Sequence, residues 1–544
     1  MSAATVASPR HAPIALIAAA VLAFVVLRAP FLSVPLERDE GEYAYIAQRM
    51  LEGEVPYRDA FDQKPPGVFV AYLLAFAIAG QTALGIHLVL HLWTAAAAAV
   101  FYLLMRVLAG GVAAGFALLV FSLASADPSL LGHAANTENW MLLPLVLAAA
   151  ACVRGWQRGD RLSWVACGGF AACACWFKQV ALTDACLFAA AVWGDAIIGR
   201  APPGRRKALL RLGLFALGGV LASAPVLLYF GAAGALAPFV DAVFLHNLEY
   251  TRSFSGGEGL VNLRTSLESQ LPGFALVWGL ALMGWWLPGG VPARVRHALA
   301  AWWLASFAGA TIGLHFRPHY FLQTVPALAA LAGVGADGLA RRLAQRERVS
   351  QALVLTSLAA LLVLVPLVAH RELLLADSPA AVSRRIYGLN PFPEAVAIAN
   401  HIRGNSRPDD RVFIVGSEPQ ILFLAGRRSA TRYIFFYPLT GDYPDARERQ
   451  QEVIDEVKAA RPLYIVWVDV VTSMLRTPRS VPLVFDATLD LIARDYDLEL
   501  IAHLDASGKS YQIDHGEAAH RWVQEAIARR TDVLPLVALY RRVR

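Results

Sequence analysis

The first two thirds of the chain is a succession of apolar stretches separated by short polar ones. The apolar runs cover roughly 13–32, 66–80, 83–105, 111–126, 138–153, 162–177, 180–198, 208–231, 272–290, 298–314, 320–338 and 350–369. Runs near 20 apolar residues cross a hydrocarbon core of about 30 Å as helices. The run 66–80 is short for a span and predicts an interfacial helix lying within one long external loop, 33–82. Eleven spans then remain. Beyond residue 370 the pattern changes. Short strand-like runs at Val412–Val415, Tyr464–Val468 and Leu498–His503 alternate with helical periodicity around Glu394–Arg403 and Ala446–Ala460. Turn signals at Asn390-Pro391 and Arg407-Pro408-Asp409-Asp410 punctuate them. The predicted organisation is a transmembrane unit, 1–369, followed by a soluble α/β domain, 370–544.

Charge fixes the orientation. Lys and Arg collect in cytoplasmic loops, and here they cluster at Arg154/Arg158/Arg161, Arg200/Arg205/Arg206/Lys207/Arg211, Arg294/Arg296 and Arg341/Arg342/Arg346/Arg348. Threading the spans between these loops leaves the N-terminus inside, the 33–82 loop outside and the C-terminal domain outside. Arg10 followed by the apolar Pro13–Leu27 has the outline of a signal peptide. Arg28 and Pro30 stand where a small-residue cleavage site would be, so the segment reads as a retained first helix.

Composition agrees. Only 17% of the residues are charged and 57% are hydrophobic, against about 25% charged in ordinary soluble proteins. The net charge of +6 lies in short loops, which excludes a nucleic-acid-binding surface. All five cysteines fall between Cys152 and Cys186, beside apolar segments, so they read as packing residues and exclude a disulfide framework for the C-terminal part.

Five polar clusters land on the outer face under this topology. They are Glu37-Arg38-Asp39-Glu40-Gly41-Glu42-Tyr43, Asp59 to Gly67 with Asp62-Gln63-Lys64-Pro65-Pro66, His133 to Asn139 with Glu138, Lys178-Gln179, and His315-Phe316-Arg317-Pro318-His319-Tyr320. Each has a plain structural alternative: a helix-start carboxylate favoured by the macrodipole, a snorkelling Lys, a headgroup anchor. Those alternatives do not explain why all five share one face. Ionisable groups at membrane depth are costly and mark function. Carboxylates Asp39, Glu40 and Glu138 can act as a general base; cations Lys64, Lys178 and Arg317 can stabilise charge on a phosphate leaving group. His87 and His91 share a helix face at i, i+4, but no third metal ligand is near and packing is the simpler reading. Asp184 lies too far along its helix to pair with Lys178 and reads as a buried partner for another group.

The stretch Arg38-Asp39-Glu40-Gly41-Glu42-Tyr43-Ala44-Tyr45-Ile46-Ala47, followed by Asp62-Gln63-Lys64-Pro65-Pro66-Gly67, resembles the first external loop of glycosyltransferase family 39 and the aminoarabinose lipid A transferases, members of the C-type (GT-C) polytopic glycosyltransferases. His315-Phe316-Arg317-Pro318-His319-Tyr320-Phe321-Leu322-Gln323-Thr324-Val325-Pro326 resembles the stretch that opens a late helix in these proteins. The resemblance implies transfer of a sugar, a hexose or pentose, from a polyprenyl-phosphate carrier to a lipid, glycan or protein acceptor, with inversion and without a cofactor or a required metal. It implies Asp39 as the base, Glu40 as its support or a sugar contact, and Lys64 and Arg317 on the carrier phosphate. Lys178 joins that cationic set, while Glu138, Tyr43, His319 and Tyr320 line the substrate. Gln63 departs from relatives that carry an acid there. Two other readings compete. A transporter or flippase of a lipid-linked sugar would show internal repeats and midplane polar residues, and the sequence shows neither. An assembly factor working through its external domain would leave Asp39 and Lys64 dispensable.

Overall fold

The computed structural model describes residues 12–252, 255–287, 290–346, 349–528 and 536–543; Arg10 and Arg348 lie outside them. Each apolar run coincides with a helical segment. These are α1 (Ala12–Arg28), α2 (Arg38–Leu51), α3 (Gly67–Ala79), α4 (Ala83–Ala109), α5 (Gly111–Ala124), α6 (Thr137–Arg158), α7 (Arg161–Phe177), α8 (Leu182–Ala190) and α9 (Arg205–Ala232), then the short α10 (Leu236–Val240) and α11 (His246–Tyr250), then α12 (Gly256–Trp286), α13 (Ala293–Thr311), α14 (Val325–Arg346) and α15 (Gln351–Ala369). Among the described residues seven helical segments are long and apolar enough to cross a membrane. α3, α5 and α7 are apolar but shorter. α12 differs most from expectation. It starts at Gly256 rather than near 272, because Ser255 and Glu258 form a capping box that begins the helix within a polar sequence.

Glycines let these helices close on one another. The tightest pairs are Gly168 with Phe215 and Gly218 with Val165 between α7 and α9, and Gly284 with Leu331 and Gly335 with Leu280 between α12 and α14. Small residues at helix contacts are the usual device where lipid supplies no hydrophobic drive between helices. The arginine-rich helix ends meet each other: Arg200 donates to the Trp156 carbonyl at 2.7 Å and Arg294 to that of Ile197 at 3.0 Å. The opposite ends of the same helices carry the polar clusters.

After α15 come α16 (Arg371–Leu374), α17 (Pro379–Tyr387) and α18 (Phe392–Gly404). A mixed sheet follows, built from β1 (Arg411–Val415), β2 (Arg428–Ser429), β3 (Tyr464–Asp469), β4 (Tyr496–Leu504), β5 (Tyr511–His515) and β6 (Leu536–Arg542). Helices α19 (Gln420–Ala425), α20 (Tyr437–Thr440), α21 (Ala446–Ala460), α22 (Val471–Met474), α23 (Leu483–Asp495) and α24 (Glu517–Ala528) are interleaved with the strands. The strand order is β2-β1-β3-β6-β4-β5, with β2, β1 and β3 parallel and β6, β4 and β5 antiparallel. The sequence pattern predicted β1, β3, β4, α18 and α21; it gave no sign of β5 or β6. The sheet unit does not hang free. Buried apolar residues form one cluster running from the membrane helices through α2 and α3 into the sheet, and Phe76 of α3 stacks on Phe423 of α19 at 5.7 Å.

Candidate active site

The acidic motif opens α2. Glu37 and Glu40 form a capping box: the Asp39 N–H donates to Glu37 Oε2 at 3.1 Å and the Glu37 N–H to Glu40 Oε2 at 3.0 Å. This fixes the first turn and separates two neighbouring carboxylates. Glu40 is buried. Its Oε1 accepts the Ala135 N–H at 2.6 Å and meets His87 Nε2 at 2.9 Å. Both of its oxygens are therefore held by protein. Asp39 is half-buried and carries no such partners on its side chain among the described residues; Glu42 and Tyr43 follow on its face at i+3 and i+4.

The Lys-Pro-Pro-Gly turn meets that face. The Asp62 carboxylate accepts the Lys64 N–H at 2.9 Å, the Tyr57 hydroxyl donates to the Lys64 carbonyl at 2.7 Å, and Asn247 donates to the Gln63 carbonyl at 2.6 Å. Gly67 starts α3 against the end of α7, where a Cβ would stand 2.5 Å from the Trp176 carbonyl oxygen. Only glycine allows this approach, and it brings the turn beside Lys178. Lys64 Nζ lies 5.8 Å from the centroid of the Tyr43 ring. Enclosure opposes its charge, but Asp39, Asp62 and Glu42 outweigh that and hold its pKa well above the usual value. Burial pushes Asp62 up to about 6, with Lys64 pulling the other way, and burial next to Asp62 raises Glu42 strongly. Tyr43 is closed off, 1% exposed, against Phe69 and Tyr72, so it backs Lys64 rather than facing the open side.

The remaining predicted residues form an adjoining group. Glu138 sits in the first turn of α6, where Thr137 donates to it at 2.8 Å and Lys178 forms a buried ion pair with it. α7 ends at Lys178, whose extended backbone (φ −154°, ψ 129°) turns the side chain inward. Lys178 Nζ stands 3.7 Å over the Tyr320 ring, and His319 Nε2 is 3.8 Å from Glu138. His319 and Tyr320 come from a 3₁₀ segment, Pro318–Thr324, entered through a strained loop with Leu314 and Phe316 at φ 57° and 45°. α12 holds that loop: Asn262 donates to the Leu314 carbonyl at 3.1 Å and Ser266 to that of Phe316. Tyr250 stacks on His315 at 4.1 Å. Arg317, which precedes the 3₁₀ segment, is exposed at the edge of this group.

All nine predicted residues thus fall at one end of the bundle; seven form two linked groups and a rim, while Glu40 is held by Ala135 and His87 and Tyr43 is packed behind Lys64. Asp39 and Lys64, with Glu42 and Asp62, make the first; Glu138, Lys178, His319 and Tyr320 make the second, with Arg317 at the rim. Glu42, Asp62 and Tyr250 were not singled out from sequence. The first two could have been, because they lie three residues after Asp39 and two before Lys64. His87 is committed to Glu40 and to the Leu32 carbonyl at 3.1 Å. Asp184 accepts from Ser306 at 2.7 Å and Gln323 at 2.6 Å, which ties α8 to α13 and to the 3₁₀ segment.

No family model and no curated protein matches this sequence. Solved structures do. ArnT from Cupriavidus metallidurans bound to undecaprenyl phosphate superposes with a TM-score of 0.58 at 16% identity, covering 92% of this chain and 97% of that one. The same protein in the apo state gives 0.55 at 16% identity with the same coverage. The archaeal oligosaccharyltransferase AglB from Archaeoglobus fulgidus, in complex with an inhibitory peptide and a dolichol-phosphate, gives 0.50 at 13% identity, covering 93% and 74%. The chain has the polytopic GT-C fold of these structures over 92% of its length.

Proposed function

We propose that this chain is a membrane glycosyltransferase. It moves a hexose or pentose from a polyprenyl-phosphate carrier to a hydroxyl of a lipid, glycan or protein acceptor, with inversion, at the outer face of a bacterial inner membrane. One observation carries the reading: Asp39, a half-buried carboxylate without side-chain partners among the described residues, shares a face of α2 with Tyr43, and Lys64, from a separate motif of the external loop, brings its Nζ to 5.8 Å from that Tyr43 ring. The ArnT structure that shares the fold holds undecaprenyl phosphate, and such a carrier presents the charge that Lys64 and Arg317 would meet.

Asp39 accepts the proton of the acceptor hydroxyl as its oxygen attacks the anomeric carbon. The bond from that carbon to the phosphate oxygen breaks, and its electron pair leaves with polyprenyl phosphate. Lys64 and Arg317 neutralise the charge that builds there. Lys178 is already paired with Glu138, so the pair, with His319 and Tyr320, forms a rigid polar wall beside the reacting groups. Glu40 fixes the helix that carries Asp39, and its occupied oxygens leave the base function to Asp39 alone.

Purified chain in nanodiscs would be given a panel of labelled undecaprenyl-phosphate hexoses and pentoses with crude membrane acceptors. Release of undecaprenyl phosphate coupled to label in the acceptor supports the reading. Movement of intact donor across vesicles without cleavage replaces it with the transporter.

A further inference from the structure

β1 and β3 are neighbouring parallel strands whose outgoing connections leave toward opposite edges of the sheet, to β2 and to β4. In open α/β sheets the crevice at the carboxyl ends of such strands is where a ligand sits. Here it is filled by Arg38, from the chain's own α2. Arg38 is 7% exposed, and its guanidinium points away from Asp39 into the sheet unit. Nε donates to the Ser417 carbonyl at 2.6 Å, and Nη2 donates to Glu418 at 2.5 Å and to Asn390 Oδ1 at 3.1 Å.

The receiving side is built for this one guest. Glu418 is fully buried and is also held by Gln420 at 2.5 Å. The Ser417 N–H donates to Ser473, which follows β3, at 2.8 Å, and Ser417 Oγ accepts the Phe436 N–H at 3.0 Å. Thr472 donates to Asn390 at 2.6 Å. One turn into α2, a Cβ on Gly41 would lie 2.5 Å from the backbone nitrogen of Gln420, so glycine lets the helix rest directly on the start of α19. A planar, bidentate-capable guanidinium locked on both sides transmits orientation as well as charge. The next residue along the chain is Asp39.

We propose that Arg38 is a positioning residue through which the C-terminal sheet unit sets the aim of Asp39, so that Glu418 and Ser417 belong to the catalytic apparatus without touching substrate. The inference rests on the transferase reading for its kinetic consequence and on geometry alone for its structural one. A misplacement near 1 Å at a reacting group costs about 10²-fold in rate.

The test compares wild type, Arg38→Lys, Glu418→Gln and the charge-balanced double variant Arg38→Met/Glu418→Met. Two readouts are taken: backbone hydrogen exchange over residues 36–46, and kcat and KM for whichever undecaprenyl-phosphate sugar wild type cleaves. The double variant removes both buried charges and is expected to stay folded. Exchange over 36–46 should nevertheless rise about tenfold while the other helices are unchanged. In the same variant kcat should fall about 10²-fold with KM within threefold of wild type. Arg38→Lys, which keeps the charge but loses the fork, should behave like the double variant. Unchanged exchange in the folded double variant would overturn the inference, whatever the activity. So would wild-type kcat in that variant. If wild type cleaves no donor, the transferase reading fails, and the exchange result still decides whether Arg38 holds the helix.

Discussion

Lys178 and Glu138 form a buried ion pair between the end of α7 and the start of α6, with the Tyr320 ring 3.7 Å from the ammonium. Three polar clusters that lie far apart in the sequence therefore share one contact. Breaking a buried pair from one side leaves an uncompensated charge and costs about 3–5 kcal/mol. Glu138→Gln should lower the thermal midpoint in detergent substantially, and Glu138→Gln/Lys178→Met should recover most of the loss. A single variant as stable as wild type would contradict the pairing.

Asp62 makes stability depend on pH in a definite direction. Burial raises its pKa from 3.8 to about 6 in the folded chain. Its contribution is thus fully present below about pH 4 and is lost as pH rises through about 6. Asp62→Asn keeps the oxygen that accepts the Lys64 N–H and removes the charge. The variant should be more stable than wild type at pH 8, by up to about 3 kcal/mol, and the advantage should vanish near pH 4. Thermal midpoints at pH 4, 6 and 8 check this; a constant difference would contradict it.

Glu40 should separate from its neighbour. Glu40→Ala orphans the Ala135 and Glu37 N–H groups and His87 Nε2, at about 1–3 kcal/mol for each buried unsatisfied group. Yield and thermal stability should fall, while the molecules that do fold keep most of their turnover. Loss of turnover at full stability would instead give Glu40 a direct part in the chemistry.

Lys64 is the expected phosphate ligand. Lys64→Met should weaken binding of undecaprenyl phosphate about a hundredfold, roughly 2.7 kcal/mol, and Lys64→Arg should retain part of it. Titration of nanodisc-embedded protein with undecaprenyl phosphate measures this, and equal affinity in Lys64→Met would remove Lys64 from the site.

The sequence was informative where one physical constraint dominated. Lipid forces apolar runs into helices, so the segments of the bundle could be read directly, and the clusters around Arg38–Tyr43 and Lys64–Gly67 stood out by residue type. Contacts between distant segments left no local trace. The extended start of α12 depended on a capping box inside a polar stretch. β6 pairs with β3 and β4 from the far end of the chain. The occupation of Glu40 by Ala135 and His87, the commitment of Lys178 to Glu138 and the docking of Arg38 on Glu418 are each properties of two places at once. Residue type marked these side chains as unusual without telling which would face substrate.

Turnover of Asp39→Asn decides whether Asp39 is the base. The amide keeps the shape and cannot accept the acceptor's proton. The variant should fold, bind undecaprenyl phosphate within about threefold of wild type and lose transfer by about 10³-fold or more. A folded Asp39→Asn protein that transfers sugar at the wild-type rate would contradict it.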